Sequence, residues 1–199
     1  MVWSAGQRSE VIGSIAHEFS KGAPVILPTD TLYGLAAPVK RLDAVRNLLK
    51  IKKRPAEQTL PVAVGSLEGA AEIAYMDTAA LDLLRSDLAG PLTVVLTARE
   101  GLPGEVVREG TVAVRVLPHP LFGPLCDSEG PIALTSANVH GGRPVRGIDD
   151  ARVEFKGYDL LMVTDLVPPS GTPSRIVDLT GPSPRTIRGG TIKMDERMG

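Results

Sequence analysis

Two stretches of this chain place hydroxyls directly after a short apolar run. Residues 25–27 (VIL) lead into 28–36 (PTDTLYGLA), where Thr29, Asp30 and Thr31 supply two hydroxyls, a carboxylate and turning amides. Residues 132–134 (IAL) lead into 135–138 (TSAN), which adds Thr135, Ser136 and the carboxamide of Asn138. At the end of a sheet strand such groups meet small polar ligands, although a tight turn capped by Asp30 is the ordinary alternative. Two such ends brought together make a polar pocket at one sheet rim. Cations are available to it. Between positions 40 and 54, seven basic residues (Lys40, Arg41, Arg46, Lys50, Lys52, Lys53, Arg54) accompany one acid, Asp43. Pro55 disfavours helix at Arg54 and turns the last of them into a loop, where they can converge on phosphate oxygens. Arg46, Lys50 and Lys53 fall on one helical face, which is also how a merely solvated face reads. Arg115 stands inside an apolar strand, where burial is expensive without a partner. It reaches solvent at an edge or meets an anion in a cleft, and the cleft is the expectation.

These groups need elements to hold them. Ile12, Ile15, Ala16 and Phe19 recur at helical spacing, with Ser4 and Gln7 as a capping box, and the run 21–24 (KGAP) as the stop. Residues 25–27 are continuously apolar, which predicts a central strand covered on both faces. Leu42, Val45 and Leu49 predict one face of a second helix. A buried strand is expected over 60–64, with short helices over 67–74 and 78–88. Strands are expected over 90–96 and 111–116, Val112 and Val114 on one face and Thr111, Ala113 and Arg115 on the other. A short helix that begins in 118–120 (PHP) and runs through Leu125, strands over 132–134, 160–163 and 175–179, and a turn over 170–174 complete the pattern.

The chain has 199 residues, 43% hydrophobic and 23% charged, enough for one compact domain over 1–199. A formal net charge of −1 gives no overall bias toward nucleic acid, so any such affinity must be local. One cysteine, Cys126, excludes an internal disulfide, and the scattered His17, His119 and His140 have no metal-ligand spacing. Cys126 lacks a neighbouring cation or base and reads as a packing residue. Any metal is expected to arrive with substrate. No apolar run approaches the ~20 residues that span a bilayer, which with the polar N-terminus gives a cytoplasmic expectation.

Taken together, PTDTLYGLA at 28–36, KKR at 52–54, GPLTVVL at 90–96, TVAVR at 111–115, TSAN at 135–138, PSRIVDL at 173–179 and TIRGG at 186–190 resemble the YrdC family in its short, single-domain form. The resemblance implies an α/β fold of α+β character: a twisted mixed sheet flanked by helices around a basic concave cleft. It implies a threonylcarbamoyl-AMP synthase, which makes its product from L-threonine, bicarbonate or carbon dioxide, and ATP with Mg²⁺. A downstream threonylcarbamoyl transferase then modifies tRNA. Carried over by motif, Thr31, Arg115, Ser136 and Ser174 are threonine contacts. Lys52, Arg54, Gln58, Thr111, Asn138, Arg146 and Arg188 are ATP contacts, with Lys52 and Arg54 stabilising charge and no nucleophile or resident metal. No Ser/His/Asp or Cys/His constellation is present, and a reaction driven by positioning and cationic stabilisation needs none.

The sequence departs from the family pattern at four places. Gln58-Thr59-Leu60 replaces the usual Asn-Pro-Leu, Ala63 stands where many synthases have a threonine-contacting His, Arg175 follows Ser174 in place of Thr, and Arg146 occupies a usual Thr position. Besides the synthase, the resemblance admits a paralogue that binds double-stranded RNA or tRNA through the same cleft. It also admits a carbamoyl-transfer component of a larger maturation machine, which is usually fused to zinc-finger and acylphosphatase modules that these cysteines and this length do not supply.

Overall fold

The computed structural model describes residues 2–3, 7–53, 58–85, 91–117, 119–139, 142, 145, 147–165 and 169–189. In chain order the elements are β1 (Val2–Trp3), α1 (Arg8–Ser20), β2 (Val25–Leu27), β3 (Gly34–Pro38), α2 (Leu42–Lys52) and β4 (Val62–Val64). Then come α3 (Leu67–Ile73), α4 (Thr78–Arg85), β5 (Leu92–Thr97), β6 (Val107–Arg108), β7 (Thr111–Val116) and α5 (Phe122–Glu129). The last are β8 (Ile132–Ser136), α6 (Ile148–Glu154), β9 (Thr164–Asp165), β10 (Arg175–Asp178) and β11 (Arg185–Arg188).

Nine strands form one mixed sheet in the order β11-β10-β5-β7-β4-β8-β3-β2, with β6 paired to β7, while β1 and β9 make a separate parallel pair. Alternation along the strands sends side chains into two cores. Ile26, Leu35, Ala37, Val62, Val64, Val94, Val112, Val114 and Val177 point to the face covered by α2, α3, α4 and α6. Val25, Leu27, Ala36, Ala63, Ile132 and Leu134 point to the other, against Val11, Ile15 and Phe19 of α1 and Phe122 and Leu125 of α5. On this second face α1 packs on β2 and α5 on β4. The side chains of β5, β7 and β10 that share the orientation, Thr93, Arg115 and Ile176, line a cavity instead. The cleft is thus the half of one sheet face that α1 and α5 do not roof.

Several expectations shift. β2 is buried on both faces but is a terminal strand of the sheet, not a central one. Its outer edge is closed by backbone bonds from Ile26 N–H to Leu161 O and from Val163 N–H to Ile26 O, both 2.9 Å. Continuous apolarity reports covered faces, and a coil can supply the edge partners. The 160–163 stretch provides this through an isolated bridge at Met162, not a strand. In α1 the buried stripe is Val11, Ile15 and Phe19, and the N-cap is Gln7 without a side-chain cap bond; Ser4 lies outside the described residues. In α2 the buried residues are Ala44, Val45, Leu48 and Lys52, whereas Leu42 is 39% exposed. The helix 78–88 is described as far as Arg85, and α5 runs beyond Leu125 to Glu129.

Candidate functional site

The hydroxyl-rich ends meet because β3 and β8 pair in antiparallel register, Gly34 opposite Ser136. The Ala137 N–H donating to Tyr33 O at 2.8 Å continues that pairing past the strand ends. Before β3, the Thr29 hydroxyl organises the turn. Its oxygen accepts from the N–H groups of Thr31 (3.1 Å) and Leu32 (3.2 Å), its proton goes to Leu32 O (2.6 Å), and Thr31 Oγ1 lies 3.0 Å away.

Arg115 reaches this turn from β7, an interior strand between β5 and β4, so the edge alternative does not arise. Its guanidinium donates to Thr31 Oγ1 at 3.0 Å and to Asp30 Oδ1 at 2.6 Å, and the residue is 9% exposed. Burial holds its pKa below the ordinary arginine value, opposed by the Asp30 carboxylate, while the charge of Arg188 adds a further lowering. Both guanidinium groups line the same cavity. Arg188 comes from β11 and donates through Nη2 and Nε to Ser174 O, at 2.9 and 3.2 Å, with Nη2 3.3 Å from Ser174 Oγ. Partial burial lowers its pKa as well. The buried Ser174 hydroxyl lies 3.0 Å from the equally buried Thr93 hydroxyl of β5.

At the other end stands Lys52, the last residue of α2 and 4% exposed. A cation suits a helix C-terminus. The chain turns away just after it through Lys53, whose φ of 51° is left-handed. The Lys52 ammonium donates to Ser136 O (2.6 Å) and Asn138 Oδ1 (2.7 Å), with Ser136 Oγ at 3.3 Å, and Ser136 Oγ itself donates to Asn138 Oδ1 at 2.6 Å.

Together these residues line a cavity of about 370 Å³. Of the residues expected from the sequence, Thr31, Arg115, Ser136, Ser174, Lys52, Gln58, Asn138 and Arg188 lie around it. Thr111 does not: four residues along β7 from Arg115, its hydroxyl donates to Arg108 O at 2.8 Å and closes the β6–β7 hairpin. Arg54 and Arg146 fall outside the described residues. Ala63 pairs beside Arg115 and lines the cavity, so its small side chain leaves room in the wall. Thr29 and Thr135, hydroxyls of the two strand ends, line it too, as does Thr93, which the sequence pattern did not single out. The signal for Thr93 was a hydroxyl at a strand position of the same parity as the wall. Among the described lining residues Lys52, Arg115 and Arg188 are basic and none is acidic.

A mixed sheet, roofed on half of one face and open over hydroxyls and cations on the rest, defines an α/β protein with a polar, basic cleft. The chain belongs to the Sua5/YciO/YrdC family: that family's model, described as telomere recombination, matches residues 17–190. Among curated relatives it is 33% identical over 192 residues to a Mycobacterium tuberculosis protein provisionally named a threonylcarbamoyl-AMP synthase, covering 95% of this chain and 88% of that one. It is also 33% identical over 153 residues to the threonylcarbamoyl-AMP synthase of Halorhodospira halophila, covering 75% of this chain and 80% of that protein. Among solved structures, Pyrococcus abyssi Sua5 complexed with L-threonine is similar at a TM-score of 0.79 and 31% identity, over 89% of this chain and 53% of that one. This chain therefore spans about half the length of that Sua5.

Proposed function

We propose that the chain is an L-threonylcarbamoyl-AMP synthase. The observation that carries the reading is the cleft, whose described lining has three basic side chains and no carboxylate. The names of the relatives and the L-threonine complex of the similar Sua5 support it. The Arg115–Thr31–Ser174–Arg188 end suits an amino acid: guanidinium groups for its carboxylate, hydroxyls for its hydroxyl and amine. The Lys52–Asn138 end suits the polyphosphate of ATP, which brings Mg²⁺ with it as part of the substrate, and Ser136, a threonine contact by the resemblance, is hydrogen-bonded to both residues.

The chemistry balances without a protein nucleophile. The amine of threonine adds to carbon dioxide and releases a proton, giving a carbamate. A carbamate oxygen then attacks the α-phosphorus, the bond to the β-phosphate oxygen breaks, and pyrophosphate leaves with Lys52 near its charge. The protein contributes orientation and fixed positive charge in a partly dehydrated cleft, which are large terms in transfer reactions. The product is an activated carbamoyl donor, and its consumer is a transferase acting on adenosine of tRNA. A cytoplasmic location goes with that role as part of the proposal. Among the described residues no helix is long and apolar enough to cross a membrane.

The deciding experiment is pyrophosphate release with ATP and Mg²⁺, in the presence and absence of L-threonine and bicarbonate. Release should require both. Release indifferent to threonine, or none under any condition, would overturn the reading and leave RNA binding as the alternative.

A further inference from the structure

Glu154 closes α6, where a carboxylate faces the negative end of the helix dipole and gains nothing from the helix. Its position is explained by what it holds. Its Oε1 accepts from the backbone N–H of Val139 at 2.6 Å. Val139 opens a turn that the Gly142 N–H closes on Val139 O at 2.8 Å. Both hydrogens of the Asn138 carboxamide are used inside that turn, on Val139 O at 3.1 Å and Gly142 O at 2.9 Å. With its N–H groups committed there, the carboxamide can turn only its oxygen toward Lys52 and Ser136, at 2.7 and 2.6 Å. Gly142 fits because it has no side chain: a Cβ would lie 2.9 Å from Val139 O and 3.0 Å from Glu154 Oε1.

We propose that Glu154, which does not line the cleft, is a positioning residue that aims the Asn138 carboxamide oxygen, and through it the Lys52 ammonium, at the nucleotide. The proposal rests on the synthase reading above. Glu154 acts as a hydrogen-bond acceptor, so its charge is dispensable and its oxygen is not. The effect is largest at the Lys52 end of the cleft, because Arg115 and Arg188 come from β7 and β11.

The test pairs calorimetric titrations of ATP with Mg²⁺ and of L-threonine with steady-state pyrophosphate release. Glu154→Ala should weaken ATP binding about tenfold, equivalent to about 1.4 kcal/mol, and weaken threonine binding far less. Glu154→Gln keeps an oxygen for the Val139 N–H and should restore ATP affinity. Gly142→Ala, which prises the carboxylate from the turn, should reproduce the alanine phenotype and serves if Glu154→Ala fails to fold. In an Asn138→Ala background Glu154→Ala should add nothing, because both act through one carboxamide. The proposal is overturned if Asn138→Ala weakens ATP binding and Glu154→Ala does not, if the two effects add, or if Glu154→Ala weakens both ligands equally alongside a lower melting temperature. Unchanged ATP affinity in Asn138→Ala would instead overturn the assignment of that end to nucleotide, and this proposal with it.

Discussion

Arg115 is the residue on which the amino-acid end depends. Its fork is fixed on one side by Asp30 and on another by Thr31, and the residue lines the cavity. Arg115→Ala should remove a charge-assisted contact of about 1.5–3 kcal/mol from threonine binding. Calorimetry would read this as a Kd raised by one to two orders of magnitude, and an unchanged Kd would exclude the role. Arg115→Lys should recover little, since an ammonium lacks the planar, rigid fork that serves Asp30, Thr31 and a carboxylate from fixed directions. Hydroxyl recognition gives a second expectation. Valine has nearly the shape of threonine but leaves the wall hydroxyls unpaired, so its support of pyrophosphate release should fall by about 10⁴-fold. Ala63, small where the wall runs beside Arg115, should soften discrimination against serine. Valine turning over at a rate comparable to threonine would remove the hydroxyl contact from the proposal.

At the scale of elements, the contact of α5 with β4 holds the wall of the cleft in place. Gly65, just after β4, meets α5 so closely that a Cβ would lie 2.6 Å from Gly123 Cα. Backbone cannot rotate out of the way, so Gly65→Ala should cost about 1–3 kcal/mol of stability, measured by denaturant unfolding. Cys126, on the same helix, reports the contact. Burial pushes its thiol from an ordinary 9.0 up to about 11. At pH 8 iodoacetamide should label the native protein far more slowly than the unfolded one, and faster in Gly65→Ala. The sign for stability follows. The unfolded thiol ionises first, so stability held below pH 9 is lost as pH rises toward 11. Cys126→Ala should flatten that alkaline slope and keep catalytic activity, and loss of activity would mean that the thiol serves the reaction after all.

For the whole molecule, a formal net charge of −1 gives no general attraction to nucleic acid. The basic stripe of α2 is weaker than it reads in one dimension. Arg46 donates to Glu105 at 3.0 Å, leaving Lys50 and Lys53 as the exposed stripe residues without a described ion-pair partner. If RNA binds there, the log–log salt dependence should have a slope of about −2 or shallower. Lys50→Ala with Lys53→Ala should abolish it, whereas Arg46→Ala should change it least. A steep slope surviving the lysine double variant in a gel-shift series would place RNA elsewhere. Ligand linkage offers a complementary check. Pyrophosphate bound among the cleft cations at a hundredfold excess over its Kd should stabilise the fold by about 2.7 kcal/mol, seen as a raised melting temperature, and no shift at any concentration would exclude the anion site.

The sequence by itself determined the strand over 111–116 and its two faces, the hydroxyl clusters that end two apolar runs, and the order of motifs that identifies the family. Those features are local: alternation, turn chemistry and residue spacing are written in neighbouring positions. It did not determine β3, whose Gly-Leu-Ala-Ala-Pro has little strand propensity and becomes a strand because β2 and β8 pair with it on both sides. Nor did it determine α6 or β11. β11 is exposed throughout and has no apolar alternation; its antiparallel pairing with β10 is what brings Arg188 to Ser174. Only the tertiary structure decided that β2 ends the sheet, that Arg46 is spent on Glu105, that Thr111 serves a hairpin, and that Glu154 reaches the turn behind Asn138. All but the Thr111 hairpin are contacts between residues well separated in the chain, and the energy of such a contact depends on the distance the fold imposes, which residue spacing does not encode.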